Sequence, residues 1–179
     1  LFNLEENAFE EGAGGMPFDY EGMPRKKVSL IEKGILKAFV HDRKTALKMN
    51  CETTGHSLGE PNTWGPIILN PVVKGGDSSP DEMISSIKRG LYIRKLHYSN
   101  LLNEKELLLT GMTRDGVFYV EDGKIKHPVT NMRYGESLFK AFSNITMLGP
   151  QETIRFQEGW GKFPWVKIEN FSFTSTTDF

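Results

Sequence analysis

What most constrains this chain is its punctuation. Glycine-marked turns recur from end to end and cut the apolar residues into short runs. The sharpest is Asp122-Gly123, set between Val117–Val120 and Lys124–Val129. An Asp-Gly pair tolerates positive φ at both central positions of a two-residue turn, so this spacing predicts an antiparallel hairpin. A second hairpin is predicted within Arg25–Asp42. Val28, Leu30 and Ile31 precede Glu32-Lys33-Gly34, and Ile35, Leu36, Phe39 and Val40 follow it. Ile67–Val73 is apolar and β-branched and reads as a strand, with Pro71 placing it at an edge or beside a bulge. Leu91–Leu96, Leu107–Thr110 and Trp165–Phe173 read as further strands.

Helix signals are fewer. Asp42 can cap a short helix to Met49, with Ala46 and Leu47 inward. Ser79-Pro80-Asp81-Glu82 combines a capping serine, a first-turn proline and a reciprocating glutamate, and Gly90 supplies a stop. Leu138, Phe139, Phe142, Ile145 and Leu148 recur at helical spacing, which predicts an amphipathic helix over Ser137–Leu148 ended by Gly149-Pro150. Residues 1–24 read as an extended lead-in and residues 25–179 as one domain. The expected fold class is α+β: about eight strands, mainly antiparallel in a sheet or barrel-like arrangement, with two or three helices.

Composition narrows the partners. Lys and Arg total 22 against 23 Asp and Glu, so there is no broad pull toward phosphate backbones. Cys51 is the sole cysteine, which excludes an internal disulfide and suits a reducing cytoplasm. No apolar run approaches the ~20 residues of a membrane span. The chain opens on Leu1 and an acidic stretch, Glu5, Glu6, Glu10 and Glu11, unlike a signal peptide. The expectation is a fragment whose N-terminal half is missing.

Several motifs share an order that is more specific than any one of them. Pro17-Phe18-Asp19-Tyr20-Glu21-Gly22 comes first, then a basic hairpin ending Gly34-Ile35-Leu36, then Thr54-Gly55-His56. Gly90-Leu91-Tyr92-Ile93 follows the Ser79 helix start, and Glu121-Asp122-Gly123-Lys124-Ile125 leads to Pro128-Val129. From about Met16 to Phe173 the chain resembles the C-terminal half of the TldD/PmbA family, whose members are called modulators of DNA gyrase and include cytoplasmic metallopeptidases. Thr54-Gly55-His56 resembles the PmbA (TldE) branch. The resemblance implies that a catalytic member carries a His-Glu-x-x-x-His helix in its N-terminal half and a Cys ligand after the last helix. This sequence has no His-Glu-x-x-x-His, and Gln151–Lys162 has no Cys. No metal ligand and no catalytic residue is therefore assigned. Zinc is expected only in a partner subunit, and whether this chain is itself an enzyme stays open.

Candidate chemistry has bland counterparts. Cys51 and His56 leave a metal short of the donors zinc needs, and Cys51 also reads as a small apolar residue. Cys51 with His56 as base would be a nucleophile lacking an identifiable orienting residue. Thr54, Gly55 and His56 lie in a glycine-flanked loop that could approach a bound peptide, or His56 could simply bond the loop to itself. Arg114 could clamp a peptide carboxylate beside Asp115, or the two could pair locally. Asp19 and Glu21 read as loop anchors to Arg25 or Lys26.

The function expected is a subunit of a Tld-type peptidase complex acting on linear or unfolded peptides, the non-metal partner of a TldD-like zinc subunit. It would pair with that paralogous subunit or with itself. The alternatives are a DNA gyrase or nucleic-acid-associated regulator, which the neutral charge argues against, and a stand-alone Cys hydrolase.

Overall fold

Lys33 and Gly34 adopt φ of 51° and 79°, and Asp122 and Gly123 adopt 48° and 72°. Both pairs are the positive-φ turns that let two strands fold back with matched twist, and both predicted hairpins form. The computed structural model describes residues 2–12, 14–156 and 159–176. It divides into two compact units: Leu1–Gly76 with Pro150–Trp165, and Asp77–Gly149 with Val166–Phe179.

In chain order the first unit holds β1 (Leu4–Glu6), β2 (Val28–Glu32), β3 (Ile35–Leu36), α1 (Arg43–Met49) and β4 (Pro71–Val73). The second begins with α2 (Pro80–Ser85), β5 (Arg89–Asn103), β6 (Leu108–Glu121), β7 (Lys124–Pro128), β8 (Met132–Ser137) and α3 (Leu138–Ser143). Then come β9 (Ile145–Phe156), β10 (Gly159–Ile168) and β11 (Phe173–Thr176). The fold is strand-rich α+β. One sheet runs β3-β2-β1-β4-β10-β9 and the other β11-β8-β6-β5, with β7 also on β6. Both sheets are open, so the barrel-like alternative is not the one adopted.

Both predicted N-caps are present, and the structure makes each a capping box, the one at Asp42 as well as the one predicted at Ser79. Asp42 accepts from the Thr45 backbone and Ser79 from the Glu82 backbone, each with the reciprocal bond. Within the first unit Val28, Leu30, Val72 and Val73 are buried, while Glu6 of β1 is fully buried among them. β1 is paired on both sides, by β2 and β4, so the start of the 1–24 segment is built into the sheet.

Four local expectations change. Ile67–Val73 contributes only Pro71–Val73 as strand, and β4 lies inside the sheet between β1 and β10. Pro71 is tolerated there because it is the first residue of the strand. The helix predicted over Ser137–Leu148 stops at Ser143, and β9 takes over at β-branched Ile145 and Thr146. Leu91–Leu96 and Leu107–Thr110 are parts of a single long β5/β6 hairpin, whose bulges absorb the glycines. Trp165–Phe173 is divided between β10 and β11, with Asn170 at φ 56° between them.

Candidate functional site

The first unit seals a polar cluster in its interior. Glu6 comes from β1, Arg25 from the segment entering β2, His56 from the long loop after α1, and Asn70 from the residue before β4. None is more than 5% exposed. Arg25 donates through Nη2 to Glu6 Oε1 and through Nη1 to Asn70 Oδ1 at 3.1 Å. The Asn70 backbone N–H donates to Glu6 Oε2 at 2.8 Å. The Glu6 carboxylate is thus held on both oxygens, as a charge removed from water must be.

His56 closes this cluster from the loop side. Its Nε2 lies 3.4 Å from Glu6 Oε1 without making a hydrogen bond, and its Nδ1 lies 2.9 Å from Thr54 Oγ1. Nε2 is the nitrogen that must carry a proton, since a lone pair facing a carboxylate oxygen would be repelled. The Thr54 hydroxyl then accepts from the His41 N–H at 2.6 Å and gives its one proton to His56 Nδ1, while Thr53 Oγ1 donates to the His41 carbonyl at 3.0 Å. Gly55 has φ 72°, and a Cβ there would collide with the Pro24 carbonyl and the Arg25 Cα. Only glycine lets the loop lie this close to the segment that delivers Arg25.

Asp19 braces the same loop from the other side. Its Oδ1 accepts from the backbone N–H groups of Glu21 and Met23, and its Oδ2 from Ser57 N–H, all at 2.9 Å. Glu21 accepts from Arg43 N–H at 3.3 Å. The acids thus anchor loop backbone rather than Arg25 or Lys26. Lys26 instead reaches Glu52 at 2.8 Å.

Arg114 and Asp115 belong to the second unit and are exposed. They occupy a bulge in β6 where Asp115 has φ 61° and Gly116 φ 126°. Arg114 Nε lies 3.9 Å from Asp115 Oδ1, a loose local pair. The two sets of sequence-predicted site residues therefore reside in different units. Cys51 is exposed, and no hydrogen bond or ion pair links it to His56 among the described residues.

The donor set can be tested against a metal. Among the described residues no three His, Cys, Asp or Glu side chains converge as ligands. Glu6 has both oxygens engaged, and Arg25 occupies the place a cation would take beside it. The cluster does not fit zinc. Glu6, Arg25 and Asn70 escaped the sequence reading because Glu6 sits in a run of acids and each partner is distant in sequence. The one available signal was the glycine of Thr54-Gly55-His56, which marks a close backbone approach.

This fold and these motifs define a class. Residues 1–175 match the model of the PmbA/TldA metallopeptidase C-terminal domain, and the chain belongs to that TldD/PmbA family. Among curated relatives, a metalloprotease PmbA homolog of Buchnera aphidicola subsp. Baizongia pistaciae is 31% identical over 147 residues, covering 81% of this chain and 30% of the relative. The solved TldE of Thermococcus kodakarensis superposes with a TM-score of 0.83 at 23% identity, over 97% of this chain and 40% of that one. A candidate modulator of a DNA gyrase from Thermotoga maritima superposes with a TM-score of 0.81 at 23% identity, over 97% and 39%. The chain spans about a third of the length of the curated relatives it matches.

Proposed function

We propose that this chain is the C-terminal domain of a non-metal subunit of a Tld-type peptidase, working in the cytoplasm on linear or unfolded peptides. In this reading zinc is supplied by a TldD-like paralogous subunit. The observation that carries it is that Gln151–Lys162, where the family resemblance puts a Cys ligand, has no Cys. The Glu6–Arg25–Asn70 cluster supports it, because the Arg25 guanidinium takes the place a cation would need beside the Glu6 carboxylate. Thr54, Gly55 and His56 then shape the loop from within, and Arg114 and Asp115 are the exposed candidates for peptide contact. Among the described residues no helix is long and apolar enough to cross a membrane.

The test mixes the purified chain with a zinc-bearing TldD-like subunit. Light scattering reads complex formation, and an unstructured peptide reads cleavage. The expected result is a mixed complex that cleaves and is stopped by a chelator, with the chain alone inert and free of stoichiometric zinc. Chelator-resistant cleavage by the isolated chain, lost in Cys51→Ala, would overturn the reading in favour of a Cys hydrolase.

A further inference from the structure

The β5/β6 hairpin carries cations that the fold does not use. β5 is the outermost strand of its sheet, and among the described residues no strand pairs with its free side. It contains Arg89, Arg94 and Lys95 and no Asp or Glu between Arg89 and Asn103. At the bulge Lys95 lies directly opposite Arg114. Both converge on one carboxylate: Lys95 Nζ is 3.4 Å and Arg114 Nε 3.9 Å from Asp115. One acid shared by two cations leaves positive charge over. The stem of Arg94 passes over Gly116, where an added Cβ would come within 3.0 Å of Arg94 Cδ. The Arg94 side chain is exposed and has no ion pair or hydrogen bond among the described residues.

A free edge offers a row of backbone donors and acceptors. Its charges decide which strands it accepts. Cations on β5 repel the β5 of a second copy, and the same cations complement an acidic strand laid alongside. Arg94 and Lys95 are consecutive in β5 and project to opposite faces, so an added strand would meet one cation on each face, its side chains roughly 5 Å away and within ion-pair reach.

We propose that the free edge of β5 captures an extended acidic peptide segment, its backbone pairing with β5 and its carboxylates held by Arg94 and Lys95. Arg114 competes for Asp115 and so keeps Lys95 available. The proposal rests on the reading above in taking a linear peptide as ligand, and it narrows that ligand to an acidic one.

The probe is a fluorescein-labelled peptide repeating Glu-Glu-Thr-Thr, which projects carboxylates from both faces of a strand, titrated with the full chain at low salt and read by anisotropy. Saturable binding is expected, weakening as salt screens the charges. Arg94→Glu/Lys95→Glu should weaken it by about tenfold or more, the loss of at least one charge-assisted contact. Arg114→Gln should weaken it less, by releasing Asp115 to neutralise Lys95. Both variants change exposed side chains, and circular dichroism checks that each keeps the wild-type fold. The matching Lys-Lys-Thr-Thr peptide should not bind, and N-methylating alternate peptide amides should abolish binding by removing strand donors. Unchanged affinity in Arg94→Glu/Lys95→Glu, or equal binding of the N-methylated peptide, would overturn the proposal. So would displacement of the peptide by single-stranded DNA, which would assign these cations to phosphate. Assembly with the zinc subunit is read separately, so failure here leaves that reading distinguishable.

Discussion

Removing one member of the Glu6–Arg25 pair leaves the other as an uncompensated charge in a sheet interior, where both side chains are at most 2% exposed. Arg25→Met should therefore cost about 3–5 kcal/mol in urea unfolding. Glu6→Leu with Arg25→Met should cost clearly less than Arg25→Met alone, since no charge is then stranded. Equal losses in the two would show that the pair does not act as a unit. Asp42 makes a different prediction, one about pH. Burial pushes its carboxyl upward and is the largest single influence. The Thr45 side-chain and backbone hydrogen bonds, with the charges of Lys44 and His41, together outweigh it and hold the group below its ordinary 3.8. A folded value below the unfolded one means stability that is present above 3.8 and lost as pH falls through the folded value. Asp42→Ala should then cost about 0.5–2 kcal/mol near neutrality, and the two proteins should converge in stability in strong acid. A gap that stays constant down to acid would assign the cost to packing instead.

Elements were legible where local chemistry decides them. Asp122-Gly123 set a hairpin because few other pairs tolerate that turn, and Ser79 with Glu82 set a helix start because the bonds close within one turn. Legibility failed where partners are distant. The apolar spacing over Ser137–Leu148 fits a helix, but Glu169 N–H bonds to Asn144 O and the chain continues as β9, a choice no local window contains. The candidate site divides the same way. His56 stood out in its glycine-flanked loop, while Glu6 needed Asn70 across 64 positions and could not be seen. Gly55 links the two levels. At φ 72° and against the Pro24–Arg25 backbone it cannot accept a side chain without moving the segment that presents Arg25. Gly55→Ala should cost more than the ~1–2 kcal/mol of left-handed strain alone. A thermal melt matching wild type would show that the loop's approach to Arg25 is dispensable.

At the scale of the whole molecule, chain order and spatial order part company. The first unit is completed by Pro150–Trp165, which returns after the intervening residues have built the second. Lys162 of β10 pairs in parallel with Val72 of β4, so without it β4 becomes an exposed edge. The return also supplies polar closures. Gln151 donates to the Val73 carbonyl at 2.7 Å, Lys162 meets Glu10 at 3.1 Å, and the Trp160 carbonyl receives Asn70 Nδ2 at 3.4 Å. Asn70 is the residue that also holds Arg25 and, through its backbone, Glu6, so the buried cluster depends on a strand about ninety residues away. Parallel pairing over such a separation cannot be nucleated by a turn. A chain ending at Gly149 should therefore lose more than the apolar area of two strands. Asn70 would lose a partner, and the Glu6–Arg25 pair would lie beneath an open edge. The expected outcome is loss of cooperative unfolding for the first unit, with amides of β1 and β4 exchanging freely with solvent. Adding a peptide spanning residues 150–179 in trans should restore protection at Val72 and Val73 if the return segment is what closes the sheet. Protection already at wild-type levels in the truncated chain would show that β1, β2 and β4 hold the cluster without it.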